Sequence, residues 1–197
     1  MPDISSRKRE LNSYLFKAYF RNLMGKTEPR GEFEYYRRLF YEHWMYMPDA
    51  RTDFEKLTLE PTAISEHLTT LSMLTRELGL KTVLELGTRE GFSTIAFLEA
   101  AKAIGGTVTS VDIEPCPKAE ERVVAAGLQD HWTFIEGDDL AIPWDRPIDH
   151  LFIDTSHLYE HTVKELNRFE PLVVEGGVVT LHDVVFAPGV RQAIDEY

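Results

Sequence analysis

The sequence predicts an α/β fold: a mainly parallel sheet with helices on both faces, preceded by N-terminal helices. Three observations carry this expectation. From Pro61 onward, short apolar runs alternate with amphipathic stretches of helical period. Glycine and acidic residues gather just after those runs, where a parallel sheet places its ligands. The 197 residues, 43% hydrophobic and 27% charged, suffice for one well-cored domain with an appendage and not for two large domains.

The elements follow in order. Leu11, Leu15, Tyr19 and Leu23 form one stripe of a helix that stops before the cluster Gly25…Pro29-Arg30-Gly31. Phe33, Tyr36, Phe40, Trp44 and Met47 continue the period in a second helix, ended by Pro48-Asp49. Positions 33–46 hold seven aromatics, more than one face can bury, which suits core packing, a subunit interface or an aromatic lid over a pocket. Residues 1–60 therefore read as a helical extension and 61–197 as the main domain. There, Ile64, Leu68, Leu71, Leu74 and Leu78 mark an amphipathic helix with Thr62 as its cap and Gly79 at its end. Strands are expected at Lys81–Gly87, Thr107–Ile113, Trp132–Gly137, Ile148–Asp154 and Gly177–Asp183. Helices are expected around Phe92–Ile104, Lys118–Ala126, Tyr159–Val173 and from Gly189. Strands separated by helices of this length imply right-handed βαβ units.

Composition excludes several partners. With 21 Lys+Arg against 33 Asp+Glu, the formal charge of −12 repels phosphate backbones and anionic membranes, so neither nucleic acid nor a membrane is expected as partner. The single cysteine, Cys116, allows no intrachain disulfide and suits a reducing cytoplasm. There is no signal-peptide pattern and no apolar run of about 18 residues.

Chemistry is expected after the strands. Glu85-Leu-Gly87-Thr88-Arg-Glu-Gly91-Phe-Ser93 is a glycine-containing turn into a helix N-terminus, where backbone can approach a ligand and N–H groups are unpaired. It is not GxGxxG, since position 89 is Arg, which demotes NAD and FAD. Asp112 after the second strand suits both hydroxyls of a ribose, and Gly137-Asp138-Asp139 after the third can border a purine. The absence of GxSxG and of a GxxxxGK[ST] loop argues against hydrolase and NTPase chemistry.

Leu84-Glu-Leu-Gly-Thr…Gly91-x-Ser, Val111-Asp-Ile-Glu-Pro, Glu136-Gly-Asp, Ile153-Asp154 and Gly176-Gly177…His182-Asp183 together resemble class I S-adenosylmethionine-dependent methyltransferases over residues 60–197. The narrower likeness is to metal-dependent small-molecule O-methyltransferases of the catechol and macrolide-sugar type. This resemblance implies a Rossmann-like methyltransferase fold. It also implies S-adenosylmethionine contacts at Glu85, Gly87, Thr88, Ser93, Asp112, Asp138 and Asp139. Asp154, His182 and Asp183, at neighbouring strand ends about 4.8 Å apart, can converge on a divalent ion, Mg²⁺ or Mn²⁺ before Fe²⁺, Ni²⁺ or Zn²⁺. His182 departs from the acidic or amide residue that the resembling enzymes carry there. His157 falls where the catechol type places its general base, so His157 and Asp154 are the expected catalytic pair. His161 reads as solvated, although it is one helical turn from His157.

The expected reaction is methyl transfer to a hydroxylated small molecule. A hydroxylase-like enzyme on the same fold and a non-catalytic nucleoside-binding subunit are the alternatives. Resembling enzymes end in a β-hairpin that the residues after Pro188 are too few to form. The expectation is either a longer native chain or an edge strand covered in a homodimer.

Overall fold

The computed structural model describes residues 53–58, 60 and 62–197. The two helices expected N-terminal to Pro48, the aromatic lid reading and nearly all of the expected 1–60 extension lie outside the described residues. A short helix α1 (Asp53–Leu57) comes first, and Leu57–Tyr197 is one compact unit. Its elements are α2 (Ser65–Glu77), β1 (Thr82–Leu86), α3 (Phe92–Ile104), β2 (Thr107–Asp112), α4 (Pro117–Ala125), β3 (Trp132–Glu136), β4 (Ile148–Ile153), α5 (Tyr159–Phe169), β5 (Val173–Leu181) and α6 (Pro188–Glu196).

The sheet order is β3-β2-β1-β4-β5, and every neighbouring pair is parallel. The first three strands step outward in one direction and β4 returns to the other side of β1. The topological switch point, the natural ligand crevice of such a sheet, therefore falls between β1 and β4. This is the Rossmann-like parallel sheet that the sequence predicts.

The three central strands, β2, β1 and β4, bury both faces. On one, Leu84, Leu86, Val111, Leu151 and Ile153 pack with Trp144, Leu166 and Phe169. On the other, Phe97 of α3 meets Phe152 at 5.3 Å and the ring of His150 at 5.1 Å between centroids. His150 is fully buried and ties three elements together. Thr75 Oγ1 of α2 donates to the Leu71 carbonyl, so Nδ1 donates to Thr75 (2.9 Å), and Nε2 is left to accept from Thr180 of β5 (2.9 Å).

Three element boundaries differ from expectation. The helix α2 begins at Ser65, with Ile64 rather than Thr62 at its cap, because the Thr62 hydroxyl is engaged by the Ser65 hydroxyl. The helix α5 ends at Phe169 and not at Val173. A 3₁₀ turn over Glu170–Leu172, containing Pro171, closes it, and Val173 already pairs with Ile148. The strand β5 therefore starts before Gly176-Gly177, which sit where the register shifts from Ile148↔Val173 to His150↔Val178. A Cβ on Gly177 would lie 2.9 Å from the Asp149 carbonyl oxygen, so this irregular pairing requires glycine. Among the described residues no helix is long and apolar enough to cross a membrane.

Burial pushes the His150 imidazole down to about 3 from its ordinary 6.5. The unfolded chain then binds a proton that the native chain refuses. The stability that neutral His150 contributes is complete above pH 6.5 and is lost as pH falls toward 3, at up to about 1.4 kcal/mol per pH unit. Denaturant titrations at pH 7, 5.5 and 4 should show a shallower decline for His150→Gln than for the parent; equal declines would remove His150 from the acid response.

Candidate functional site

The backbone builds the site before any side chain does. The first residue after four of the five strands donates its N–H to the strand beside it: Gly137 to Asp112, Gly87 to Val111, Asp154 to Leu86 and His182 to Ile153, at 2.8–3.0 Å. These bonds bring the carboxyl ends of all five strands to one level. Gly87 has φ +90°, and a Cβ there would stand 2.0 Å from the Asp154 carbonyl oxygen. Only glycine lets the β1 turn lie against the end of β4.

Two cavities meet at this junction. A cleft of about 790 Å³ is lined by Gly87, Asp112, Asp138, Asp139, Asp154 and His161. A smaller cavity of about 240 Å³ shares Gly87 and Asp154 and is closed by Thr88, Ser93, His182 and Asp183. The larger volume is ample for a nucleoside-sized ligand.

The Asp112 carboxylate is fixed by backbone. Oδ2 accepts from the N–H groups of Thr88 (2.8 Å) and Arg89 (2.9 Å), and Oδ1 from Glu114 (3.0 Å). Burial works against its charge, yet these N–H groups hold the carboxyl below its ordinary value. Cys116, beside it, is pushed up to about 12 by burial and by the Asp112 charge, so its thiol stays protonated. Asp138 is exposed at the cleft edge, and its Oδ1 accepts from the Leu140 N–H.

Glu85 requires a correction. Its side chain is wholly buried beneath the glycine turn and reaches neither cavity. Oε1 accepts from Ser93 (2.5 Å), and Oε2 from Thr94 (2.6 Å) and Ser110 (2.5 Å). Ser110 in turn accepts from the Trp132 indole at 2.9 Å. In place of a ligand contact, Glu85 ties α3 to β1 and β2. Ser93 lines the smaller cavity, with its hydroxyl committed to Glu85.

The expected metal ligands do converge, with one addition. His157 Nε2 lies 3.0 Å from Asp154 Oδ1 and 3.2 Å from Asp183 Oδ2, and His182 Nδ1 lies 3.3 Å from both oxygens. Burial opposes the Asp154 charge, but His182 and His157 hold its carboxyl below the usual range; Asp154 in turn raises His182. His182 Nδ1 is buried with no well-aligned hydrogen bond, its nearest acceptors the Asp154 and Asp183 carboxylates at 3.3 Å, while the ring also bonds the Ala63 carbonyl. A backbone carbonyl on one side of an imidazole leaves the other nitrogen free to ligate. An orphaned nitrogen among two carboxylate oxygens and a second imidazole, at separations typical of ligands sharing one ion, fits a divalent cation.

Strain gathers here as well. Among the described residues the non-glycine positions with positive φ are Arg89, Cys116, His157 and Asp183. Arg89 and Cys116 line the larger cleft, Asp183 the smaller, and His157 belongs to the cluster. Such conformations cost on the order of 1–3 kcal/mol each and concentrate at functional sites.

The left-handed His157 also breaks the expected helical pairing. The helix α5 starts at Tyr159, so His157 and His161 do not share a helical face. His161 is half-buried and paired rather than simply solvated: its Nε2 lies 3.2 Å from both oxygens of Asp139 and 3.5 Å from Glu165 Oε1. Glu165, wholly buried, was not among the expected site residues. Its one sequence signal is the four-residue spacing from His161 within an amphipathic helix.

Burial dominates at Glu85 and lifts its pKa from 4.5 to about 7. The stability of the protonated form is complete below pH 4.5 and is lost as pH rises through 7. Glu85→Gln should therefore gain on the parent by on the order of 2 kcal/mol between pH 5 and pH 8 in paired denaturant titrations. A pH-independent difference would show that Glu85 ionises freely.

Residues 84–184 match the family described as Methyltransferase domain. Solved structures share the fold at low identity. An O-methyltransferase from Bacillus cereus, in complex with SAH, has a TM-score of 0.62 at 19% identity over 79% of this chain and 86% of its own. Cofactor-bound Rv0187 from MTB reaches 0.62 at 19% identity over 86% of this chain and 85% of its own. The O-methyltransferase TomG from Streptomyces achromogenes, involved in tomaymycin synthesis and in complex with SAM, reaches 0.57 at 20% identity over 79% and 85%. With more than half of its length matched by the family and its sheet in the order of a nucleoside-binding crevice, the chain belongs to the methyltransferase-domain family.

Proposed function

We propose that this protein is an S-adenosylmethionine-dependent O-methyltransferase acting on a small hydroxylated molecule, such as a sugar or phenol of a secondary metabolite, with a divalent ion at Asp154, His157, His182 and Asp183. The observation that carries this reading is the convergence of those four ligand atoms beside the glycine turn that ends β1. The B. cereus and S. achromogenes proteins, solved with SAH and SAM, support the cofactor. The lone cysteine and the acidic charge suit a cytoplasmic enzyme whose partner is a small molecule, with a homodimer as one arrangement that covers the β5 edge.

Each residue then has a task. Asp112, already oriented by three backbone N–H groups, receives the ribose hydroxyls at the end of β2. Gly87 and Thr88 let backbone approach the methionine portion, and the exposed Asp138 borders the purine. The sulfonium methyl is electrophilic, so the protein needs no nucleophile of its own and must hold the acceptor oxygen in line with the methyl–sulfur bond. A bound divalent ion would supply Lewis acidity, lowering the pKa of an acceptor hydroxyl enough for water to take its proton. His157 shifts from the expected general base to a fourth ligand, because an Nε2 committed to an ion cannot also accept a proton. Two imidazoles beside two carboxylates favour Mn²⁺ over Mg²⁺, which prefers oxygen ligands.

The same donor set favours one second reading, an iron-dependent hydroxylase-like enzyme, which oxygen consumption on adding Fe²⁺ would reveal.

Calorimetry with S-adenosylhomocysteine should give a micromolar Kd for the full chain, weakened at least tenfold by Asp112→Ala. No binding at high micromolar concentration would sink the assignment. In a methyl-transfer assay over hydroxylated acceptors, a chelator should abolish turnover, Mn²⁺ should restore more of it than Mg²⁺, and His157→Ala should prevent the restoration. Turnover indifferent to the chelator would remove the ion from the reaction.

A further inference from the structure

We propose that Asp139, His161 and Glu165 form a second divalent-cation site, separate from the Asp154 cluster and suited in composition to Zn²⁺. One ligand atom from each of the three residues falls within a group no more than 4.8 Å across. His161 Nε2 stands 3.2 Å from Asp139 Oδ1 and 3.5 Å from Glu165 Oε1. Ligands held tetrahedrally at roughly 2.0–2.1 Å from one Zn²⁺ lie about 3.3 Å apart, so these separations need little adjustment.

A second observation points to a ligand. Glu165 has no solvent exposure, and its Oε1 accepts from the Thr155 hydroxyl at 2.7 Å, but Oε2 is buried without any hydrogen-bond partner. An orphaned buried carboxylate oxygen is costly, and here a second carboxylate, Asp139, stands beside it. Burial pushes the Glu165 pKa upward, and so does a hydrogen bond shared with the Asp139 carboxylate, so without a cation the pair shares a proton and only the ionised Glu165 leaves Oε2 unpartnered. A divalent cation takes the place of that proton, pairing the ionised oxygen and both carboxylate charges together.

The fold presents the three ligands in a way that suits an ion. His161 and Glu165 are four residues apart on α5 and share one face. Asp139 comes from the connection between β3 and β4, so an ion would fasten that connection to the helix. Asp139 and His161 line the larger cleft, which gives the ion a path from solvent and leaves a fourth coordination position facing the cleft. One imidazole and two carboxylates with an open position is a donor set that zinc accepts.

The test uses metal alone and so does not depend on the methyl-transfer reading. An Asp154→Ala/Asp183→Ala chain, with the first cluster disabled, is dialysed against micromolar Zn²⁺ and its metal content measured. One Zn²⁺ per chain is expected, falling to background when Glu165→Gln or His161→Phe is added. Co²⁺ in place of Zn²⁺ should give the visible absorption of a tetrahedral site, lost in the same variants. Glu165→Gln keeps the side-chain volume and the Thr155 contact, so it decides the matter if His161→Phe does not fold. In the otherwise unaltered chain, Glu165→Gln should lower the stoichiometry by one ion. A disabled-cluster chain that holds no Zn²⁺, or one whose Zn²⁺ survives Glu165→Gln, overturns the proposal.

Discussion

The site depends on the backbone hydrogen bonds that lace the strand ends together. Gly137, Gly87, Asp154 and His182 each donate to the neighbouring strand just after their own strand ends. In a parallel sheet the ladder fixes the height of each strand relative to the next. Extending it by one residue fixes where the chain departs. The turns after β1, β4 and β5 therefore leave from one level, and the close approach of Gly87 to the Asp154 carbonyl draws two of them into contact. A side chain at position 87 would push the β1 turn off β4 and separate the carboxylate end of the site from its glycine turn.

Polar groups on this scaffold divide into those that hold it and those left for ligands. Glu85 and His150 are wholly buried, with every polar side-chain atom bonded, and they tie helices to strands on the face that carries Phe97. Asp112 stands between the two groups, at the edge of the larger cleft with its carboxylate held by three N–H groups. Two clusters of acidic and histidine side chains stand apart from these, Asp154/His157/His182/Asp183 and Asp139/His161/Glu165. Each contains an orphaned buried atom, His182 Nδ1 in one and Glu165 Oε2 in the other. Satisfied polar groups rigidify a core, whereas unsatisfied ones at a cavity wall mark places where a ligand lowers the free energy.

Much of this was legible in the sequence. Apart from the boundary between α5 and β5, the alternation of apolar runs and amphipathic stretches from Pro61 onward predicts the strands and helices to within a residue or two, because both periods are local properties of the chain. The one large error, running α5 through to Val173, arose because Val173 and Val174 continue an apolar pattern that a helix or a strand could use. The Pro171 turn and the pairing of Val173 with Ile148 decide between them. Asp154, His182 and Asp183 were placed together correctly because position after a strand already implies the crevice of a parallel sheet.

What the sequence by itself determined is the order of elements and which residues stand at strand ends, since these follow from short-range periodicity and the chirality of βαβ units. Only the tertiary structure decided which way those residues turn. Glu85 faces inward because three hydroxyls from β2 and α3 meet it there. His157 joins the cluster because a left-handed backbone at that residue, followed by a helix starting two residues later, swings its ring back toward Asp154. His161 and Glu165 become partners of Asp139 because α5 packs beside the β3–β4 connection, twenty-two residues away in sequence from Asp139 to His161. Side-chain direction at a turn depends on backbone dihedrals and distant packing, and neither is written in the local pattern of residues.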